Sequence, residues 1–271
     1  MSIASFTSAR IRGQGRARSV RPLARALGRV LPAAAGMVLL IAIWELVVFW
    51  FDVPPYVLPL PQQIIAVAIE HLPELWHNSL TTVFEAVVGF LIGSALGLAL
   101  GSAMLIWTPV ERTLLPIYVT INSVPMAAFG PLVTIWFGIG VMSKIVLIIV
   151  VVSYTILLNT LAGLKNCDPG AIALLRSFGA SDGRIMWMLR VPGALPSIFS
   201  GLKVAVVHSM ILAIVVEMLG AFSGLGWSIY KTTQMMNFVE AWAAVFASVV
   251  ISLVIYGLVS WLSKLAIWWP Q

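Results

Sequence analysis

Ionisable side chains inside long apolar stretches are the residues of this sequence with the greatest capacity for chemistry. Five of them fall in such stretches: Glu45, Glu85, Lys203, His208 and Glu217. In a lipid bilayer these groups are energetically costly, and they usually face the protein interior or a pathway for ions, protons or solutes. The sequence therefore directs attention to what lies inside a helical bundle rather than to a soluble active site.

No set of residues has the spacing of a catalytic or metal site. No two of the five ionisable residues form a recognisable acid–base pair, and Cys167 is the single cysteine. The histidines are scattered, and no glycine-rich loop ends in Gly-Lys-Ser or Gly-Lys-Thr, the phosphate-binding pattern of many ATPases. We expect no catalytic residues, no metal and no bound cofactor in this chain.

The composition indicates a membrane protein. Of the 271 residues, 61% are apolar and 10% are charged, whereas about a quarter of the residues are charged in soluble domains. A helix needs about 20 apolar residues to cross the hydrocarbon layer. We predict an all-α integral membrane protein with six transmembrane helices near 31–51, 79–107, 113–137, 144–164, 196–220 and 241–267, and a short interfacial helix over 62–75.

The positions of Lys and Arg predict the orientation, because short cytoplasmic loops carry an excess of both. With the N-terminus inside, the outer side receives only Lys144 and Lys231. The inner side receives seven arginines between positions 10 and 29, and Arg112, Lys165, Arg176, Arg184, Arg190 and Lys264. Both termini and the 165–195 loop are therefore expected in the cytoplasm. Residues 1–30 form a basic tail expected to contact anionic lipid, with an RNA-binding arm as the alternative.

The second predicted span carries small residues at intervals of four: Gly89, Gly93, Gly97 and Gly101. This spacing places them along one helix face, where small residues let helix backbones approach closely. We predict tight packing inside the bundle, and a contact between two copies is the alternative.

The 165–195 loop contains its own helix start and stop signals. Asp168 and Pro169 can begin a first short helix, and Gly179 can end it as a left-handed cap. Ser181 can begin a second helix, which Pro192 is predicted to stop. The two helices have apolar faces, formed by Ile172, Leu175 and Phe178 and by Ile185, Met188 and Leu189. Outside the hydrocarbon, such faces need cover from the bundle or from a partner protein.

This loop resembles the cytoplasmic signature of binding-protein-dependent ABC transporter permeases, which runs Glu-Ala-Ala, three residues, Gly, nine residues, Ile-x-Leu-Pro. Gly179 takes the position of the signature glycine, and Leu189, Val191 and Pro192 take those of Ile, Leu and Pro. Other segments are similar to the nitrate, sulfonate and taurine type, which includes pyrimidine-precursor permeases: 131–140, Ser-Lys-Ile at 143–145, 159–164, 178–181 and Gly-Leu-Gly at 224–226. The resemblance extends over roughly residues 30–265.

The resemblance implies a type I ABC importer permease-like bundle over residues 31–268, working as a homodimer. Each copy would contact a separate ATPase subunit that binds the ATP, and an extracytoplasmic solute-binding protein would deliver a small anion or small heteroaromatic compound. The loop would be the coupling helix, with the following residues at the ATPase: Ala173, Leu174, Leu175, Arg176, Phe178, Gly179, Ala180, Ser181, Asp182 and Pro192. Ala173 stands where the signature has its acid, so an apolar contact through Leu174 or Leu175 would have to replace a salt bridge.

Candidate pathway residues come from the third and fifth spans. Asn122, Ser123 and Pro125 combine polar groups with broken backbone near mid-membrane, a combination tolerated where it lines a cavity; a packed proline kink is the alternative. His208 is predicted to be a buried neutral histidine or a proton relay. Glu217 is predicted near the outer end of its span, beside a loop where a binding protein could dock, and Glu85 is expected to reach water.

Two other classes of protein compete with this interpretation. An ATP-independent secondary transporter often shows inverted repeats with broken helices in both halves, and no such repeat is evident in the sequence. An intramembrane enzyme would need a clustered nucleophile, base or metal set. The long 165–195 loop would have no role in a secondary transporter, so the importer subunit is the preferred hypothesis.

Overall fold

The computed structural model describes residues 21–267, and it describes side chains in this range except at 21–31, 33, 126 and 127. Residues 1–20 of the basic tail, and residue 268 at the end of the predicted permease domain, lie outside the described residues. The described residues form helices joined by turns and short loops and contain no strand, which confirms the all-α class.

The first unit contains one helix, α1 (Arg21–Trp50), so the last ten residues of the predicted tail are helical. Its apolar part, Ala34–Trp50, is shorter than the other candidate spans. The helix ends where Asp52 takes a positive φ of 47°, a conformation that Asp adopts more readily than most residues. The Val53 amide then donates to the Val48 carbonyl (3.1 Å).

The second unit, described from Pro54 to Ile267, holds the remaining helices. They are α2 (Pro61–Glu70), α3 (Leu72–Ile106), α4 (Thr108–Asn122), α5 (Gly130–Phe137), α6 (Val141–Lys165), α7 (Pro169–Ser177), α8 (Asp182–Ile185), α9 (Val191–Leu219), α10 (Leu225–Gln234) and α11 (Phe238–Ala266). A 3-10 turn at Met126–Phe129 leads into α5, and a π-helical turn at Met186–Arg190 joins α8 to α9.

Four continuous helical segments of the described chain are long and apolar enough to cross a membrane: Leu72–Ile106, Val141–Lys165, Asp182–Leu219 and Phe238–Ala266. They correspond to the predicted second, fourth, fifth and sixth spans. The predicted third span is not one continuous helix, because α4 ends at Asn122 and α5 begins only at Gly130, with Pro125 between them. The count of six spans therefore remains a prediction.

The predicted interfacial helix over 62–75 is divided between two helices. α2 occupies its first part and ends at Glu70, and α3 begins at Leu72. His71 breaks the path with φ −98° and ψ 20°, and Pro73 lies in the first turn of α3. Proline is tolerated there because the first N–H groups of a helix have no partner within it.

The four glycines spaced at intervals of four along α3, called the glycine stripe below, pack against α6 inside the unit, as predicted. A Cβ on Gly89 would lie 2.6 Å from Ile148, and one on Gly101 would lie 2.9 Å from Thr160. Contacts advance in the same direction along both helices, so α3 and α6 run parallel. Their shared core includes Ile148 and Val152, which are completely buried.

Candidate functional sites

The first half of the 165–195 loop has the geometry expected from its sequence. The Asp168 carboxylate accepts hydrogen bonds from the Gly170 amide (3.0 Å) and the Ala171 amide (3.2 Å), and Pro169 occupies the first turn of α7. These bonds satisfy N–H groups that would otherwise have no partner in the helix. α7 is thus fixed in direction at its start.

Gly179 ends α7 in the left-handed conformation, with φ +77°. The Gly179 amide donates to the Arg176 carbonyl (2.9 Å), and the Ala180 amide donates to the Leu175 carbonyl (3.0 Å). Across this turn, the Arg176 guanidinium donates to the Asp182 carboxylate (2.9 Å). Local hydrogen bonds therefore hold the turn in one conformation.

The predicted stop at Pro192 is wrong. Ser181 does accept from the Arg184 amide (3.4 Å), but the helix that follows continues through α8 and the π-helical turn into α9. A proline inside a helix removes an N–H and crowds the carbonyl four residues earlier. Here the π-helical turn ends at Arg190, directly before Val191 and Pro192. The wider turn accommodates the ring, so the second half of the loop, from Asp182, forms one continuous helix with α9.

The loop exposes large apolar side chains in this single chain. Leu174 is 57% exposed, Phe178 77%, Trp187 74% and Met188 63%. Of the predicted apolar faces, Ile172, Leu175 and Leu189 are half-buried and Ile185 is fully buried. The loop's own bundle therefore covers only part of the apolar surface.

The predicted pathway residues on α4 and beyond it lie at the surface of the chain. Ser123 and Pro125 are exposed, and Asn122 is half-buried. The side-chain amide of Asn122 donates to the Tyr118 carbonyl (3.0 Å), and the Ser123 hydroxyl donates to the Val119 carbonyl (2.8 Å). These bonds go to carbonyls of the last turn of α4 and not to the Ile121 carbonyl, which is the one that Pro125 leaves without its helical donor, so pathway lining and a packed kink both remain predictions.

Two expectations for single residues are wrong. His208, predicted to be buried, is exposed on α9 in the single chain. Glu85, expected to reach water, is only 2% exposed. Whether His208 or Glu85 is buried depends on which face of its helix packs against neighbouring helices. The position of a residue along the span does not determine that face.

Glu217 lies inside the bundle rather than on an open surface, and it is 0% exposed. The Thr82 hydroxyl donates to its Oε1 (2.7 Å), and the Gly226 amide donates to its Oε2 (2.7 Å). Glu85 lies next to it, and Oε2 of Glu85 has no hydrogen-bond partner among the described residues.

Lys144, counted in the sequence as a loop residue, is 1% exposed. Its Nζ donates to the carbonyls of Ile139 (2.6 Å), Gly140 (3.1 Å) and Gly220 (2.8 Å). Lys144 therefore connects the start of α6 to the residue that follows α9.

The sequence analysis missed the residues that complete this buried polar cluster, namely Asn78, Thr82 and Lys144. Asn78 Oδ1 accepts from the Gly224 amide (3.0 Å), and Thr82 Oγ1 accepts from the Leu225 amide (2.8 Å). A signal was present in Ser-Lys-Ile at 143–145 and Gly-Leu-Gly at 224–226, since these two segments prove to be bound to the same cluster.

One group of described side chains could offer ligands to a metal: His71, Glu74 and Glu240, whose ligand atoms lie within 4.8 Å of one another. Both carboxylates already have protein partners. The Lys231 ammonium donates to the Glu74 carboxylate (3.2 Å), and the side-chain amide of Asn237 donates to the Glu240 carboxylate (2.5 Å). These contacts account for the cluster without an ion.

Comparison with known proteins decides the family. The family described as binding-protein-dependent transport system inner membrane component matches residues 72–266. The chain belongs to this family of ABC transporter permeases. The permease is thus a multi-pass membrane protein, and membership does not favour the ATP-independent alternative.

Relatives of this permease have similar lengths. A probable ABC transporter permease protein of Haemophilus influenzae is 32% identical over 229 residues, covering 84% of this chain and 94% of that protein. The formylaminopyrimidine transport permease ThiX of Halalkalibacterium halodurans is 32% identical over 201 residues, covering 73% and 78%. The putative aliphatic sulfonates transport permease SsuC of Escherichia coli is 32% identical over 231 residues, covering 84% and 83%.

Solved structures have the same fold. The methionine ABC transporter MetNI in an inward-facing conformation superposes with a TM-score of 0.58 at 19% identity, covering 72% of this permease and 95% of that chain. An amino acid ABC transporter crystallised with histidines gives a TM-score of 0.60 at 18% identity, covering 73% and 95%.

Proposed function

We propose that this permease forms the translocation pathway of an importer that carries a small anion or a small heteroaromatic compound into the cell, driven by ATP hydrolysis on a separate subunit. Related permeases are named for formylaminopyrimidine, taurine, aliphatic sulfonates and nitrate. The observation that carries the proposal is the 165–195 loop. Its first helix is capped by Asp168, its second half is continuous with α9, and it exposes the large apolar side chains of Leu174 and Phe178.

The loop suits the role of a coupling element because motion of an ATPase subunit must pass through a stiff connection. Leu174 and Phe178 offer apolar contacts, which compensate for the missing acid at Ala173. Gly179 sets the angle between α7 and α8, and the Arg176–Asp182 ion pair spans the turn. The remaining contact residues would be Leu175, Ala180 and Ser181. Pro192 would contribute indirectly, because it lies at the start of α9 and affects the direction of that helix.

The open faces of α4 and α9 support a pathway between two copies of the permease. None of the described α4 side chains is buried in the single chain. Asn122, Ser123, Pro125 and His208 would face the space that the second copy encloses, whereas Glu217 would act from inside the bundle. This arrangement is a homodimer in the bacterial inner membrane, with both termini and the 165–195 loop in the cytoplasm and an extracytoplasmic binding protein on the other side.

Reconstitution of the permease complex from its native membrane tests the function. We expect proteoliposomes to accumulate solute only with ATP on the side of the 165–195 loop and solute-loaded binding protein on the opposite side. Taurine and formylaminopyrimidine are suitable first probes. Uptake driven by a proton or sodium gradient without ATP would contradict the proposal.

The pathway is tested by adding bulk to α4. We expect Asn122→Trp and Ser123→Trp to reduce uptake by about tenfold or more, because an indole would fill part of the space between the two copies, while the complex still assembles. Ile117→Trp is the matched control, since Ile117 lies on another face of α4 and is 47% exposed. Normal uptake in both variants would remove these residues from the pathway.

A further inference from the structure

Three ionisable side chains from three membrane helices are fully buried near one end of the bundle. Glu85 on α3, Lys144 on α6 and Glu217 on α9 are all 0–2% exposed. Burying charged groups costs free energy, and well-packed apolar residues in their place are often equally stabilising or better. Ionisable residues buried in this way therefore point to a function, with their partners indicating which one.

The partners converge on one turn. Four groups of residues 220–226 are bound by side chains of other helices or of α9: the Gly220 carbonyl by Lys144, the Gly224 amide by Asn78, the Leu225 amide by Thr82 and the Gly226 amide by Glu217. We call these four side chains the latch: Asn78, Thr82, Lys144 and Glu217. They come from α3, α6 and α9, so the turn is fixed only when these three helices are in register.

The latch also caps α10. Gly224 is the N-cap of α10 and contributes no side-chain cap. The first N–H groups of the helix are instead satisfied by Thr82 and Glu217, which lie 143 and 9 residues away from them in the chain. A carboxylate at this end of a helix is also favoured by the helix dipole. The start of α10 thus depends on the latch rather than on its own sequence.

The fit between the turn and the bundle is tight. Gly224 has φ +107°, and a Cβ there would lie 2.2 Å from Oε1 of Glu217. A Cβ on Gly226 would lie 2.1 Å from the backbone carbonyl oxygen of Ile214. The glycines allow the turn to approach closely enough for the Gly226 amide to reach Oε2 of Glu217.

We propose that the latch residues position α10 as a gate at the outer end of the permease, and that import requires these bonds to break. The proposal rests on the importer function and orientation given above. The latch consists of polar contacts, whereas Ile148, Val152 and Val216 pack in the apolar core, so the latch bonds can break and re-form without loosening that core. Thr82, Lys144 and Glu217 are thus positioning residues that act through α10.

Cysteine labelling tests the latch directly. Ser228 lies on α10, is 3% exposed, and can be changed to Cys after the single native cysteine is removed by Cys167→Ala. In membranes, a maleimide that cannot cross the bilayer should modify Ser228→Cys slowly from outside. We expect Thr82→Val or Glu217→Gln to raise the rate roughly tenfold, the population change that loss of one hydrogen bond to a charged group allows.

Conservative variants distinguish the latch from general damage. Thr82→Ser keeps the hydroxyl, so it should restore the slow labelling that Thr82→Val loses. Glu111→Gln removes a carboxylate that pairs with Lys165 at the other end of α6, away from α10, and it should leave labelling unchanged. If Glu217→Gln does not accumulate in the membrane, the two Thr82 variants carry the comparison.

Labelling during turnover tests the gating step. In the complex with an intact latch, ATP and solute-loaded binding protein together should make Ser228→Cys reactive. Protection that persists during turnover would overturn the gate, and equal labelling of all latch variants would overturn the latch. Failure of the importer function and failure of the latch can be distinguished. Absence of ATP-driven uptake in the unmodified complex refutes the importer function, whereas the labelling rates of the latch variants are measured without uptake.

Discussion

Gly179→Val should abolish solute-stimulated ATP hydrolysis and uptake while the permease still inserts into the membrane. The residue has φ +77°, which costs an ordinary residue about 1–2 kcal/mol and makes a β-branched residue a severe outlier. A Cβ at this position would meet nothing within 4 Å. The effect must therefore come from the backbone: α7 would be redirected relative to α8, and the contact with the ATPase would be lost.

A second glycine in the same loop provides the matched control. Gly183 lies in α8 without a positive φ, and a Cβ there would also meet nothing within 4 Å. Gly183→Val should retain most of the uptake, and Gly179→Asn should be milder than Gly179→Val because Asn tolerates the left-handed conformation. The measurements are ATP hydrolysis with and without solute-loaded binding protein, and solute uptake. Normal values for Gly179→Val would show that this loop does not couple the two subunits.

Features set by local chemistry could be predicted from the sequence. The cap at Asp168 and the left-handed turn at Gly179 depend on residues within a few positions of each other, and the structure confirms both. Pro192 was mispredicted because its usual effect as a helix stop was relieved by a π-helical turn in the residues just before it. The pattern of a single proline does not reveal whether the preceding turn will widen.

The buried polar cluster could not be predicted, because its bonds join residues that are far apart in the chain. Lys144 reaches the Gly220 carbonyl, and Thr82 reaches Glu217. Considered separately, Glu85 and Lys144 lie close enough to the ends of their helices to suggest contact with water. Only the packing of α3, α6 and α9 determines that these side chains face one another rather than solvent.

Enlarging Gly97 should prevent the bundle from forming. A Cβ at this position would lie 2.6 Å from the backbone oxygen of Ser153 and 3.0 Å from the backbone nitrogen of Leu157, both on α6. Adding side-chain atoms to a filled core typically costs about 1–3 kcal/mol. Here the first added atom already meets backbone, which cannot rotate away as a side chain can. We expect Gly97→Leu to exceed that range and to lower the thermal midpoint by about 10 °C or more, or to prevent accumulation altogether.

Ala99→Leu is the control, because Ala99 lies on the same helix and is exposed in the single chain. Its thermal midpoint should stay close to that of the unmodified protein. The pair also separates the two explanations of the glycine stripe. If Gly97 served only a contact between two copies, Gly97→Leu would yield a folded single chain with an unchanged midpoint that fails to pair, as size-exclusion chromatography in detergent would show. Loss of the folded chain itself is the result that close packing of α3 on α6 requires, since the clash lies within one copy.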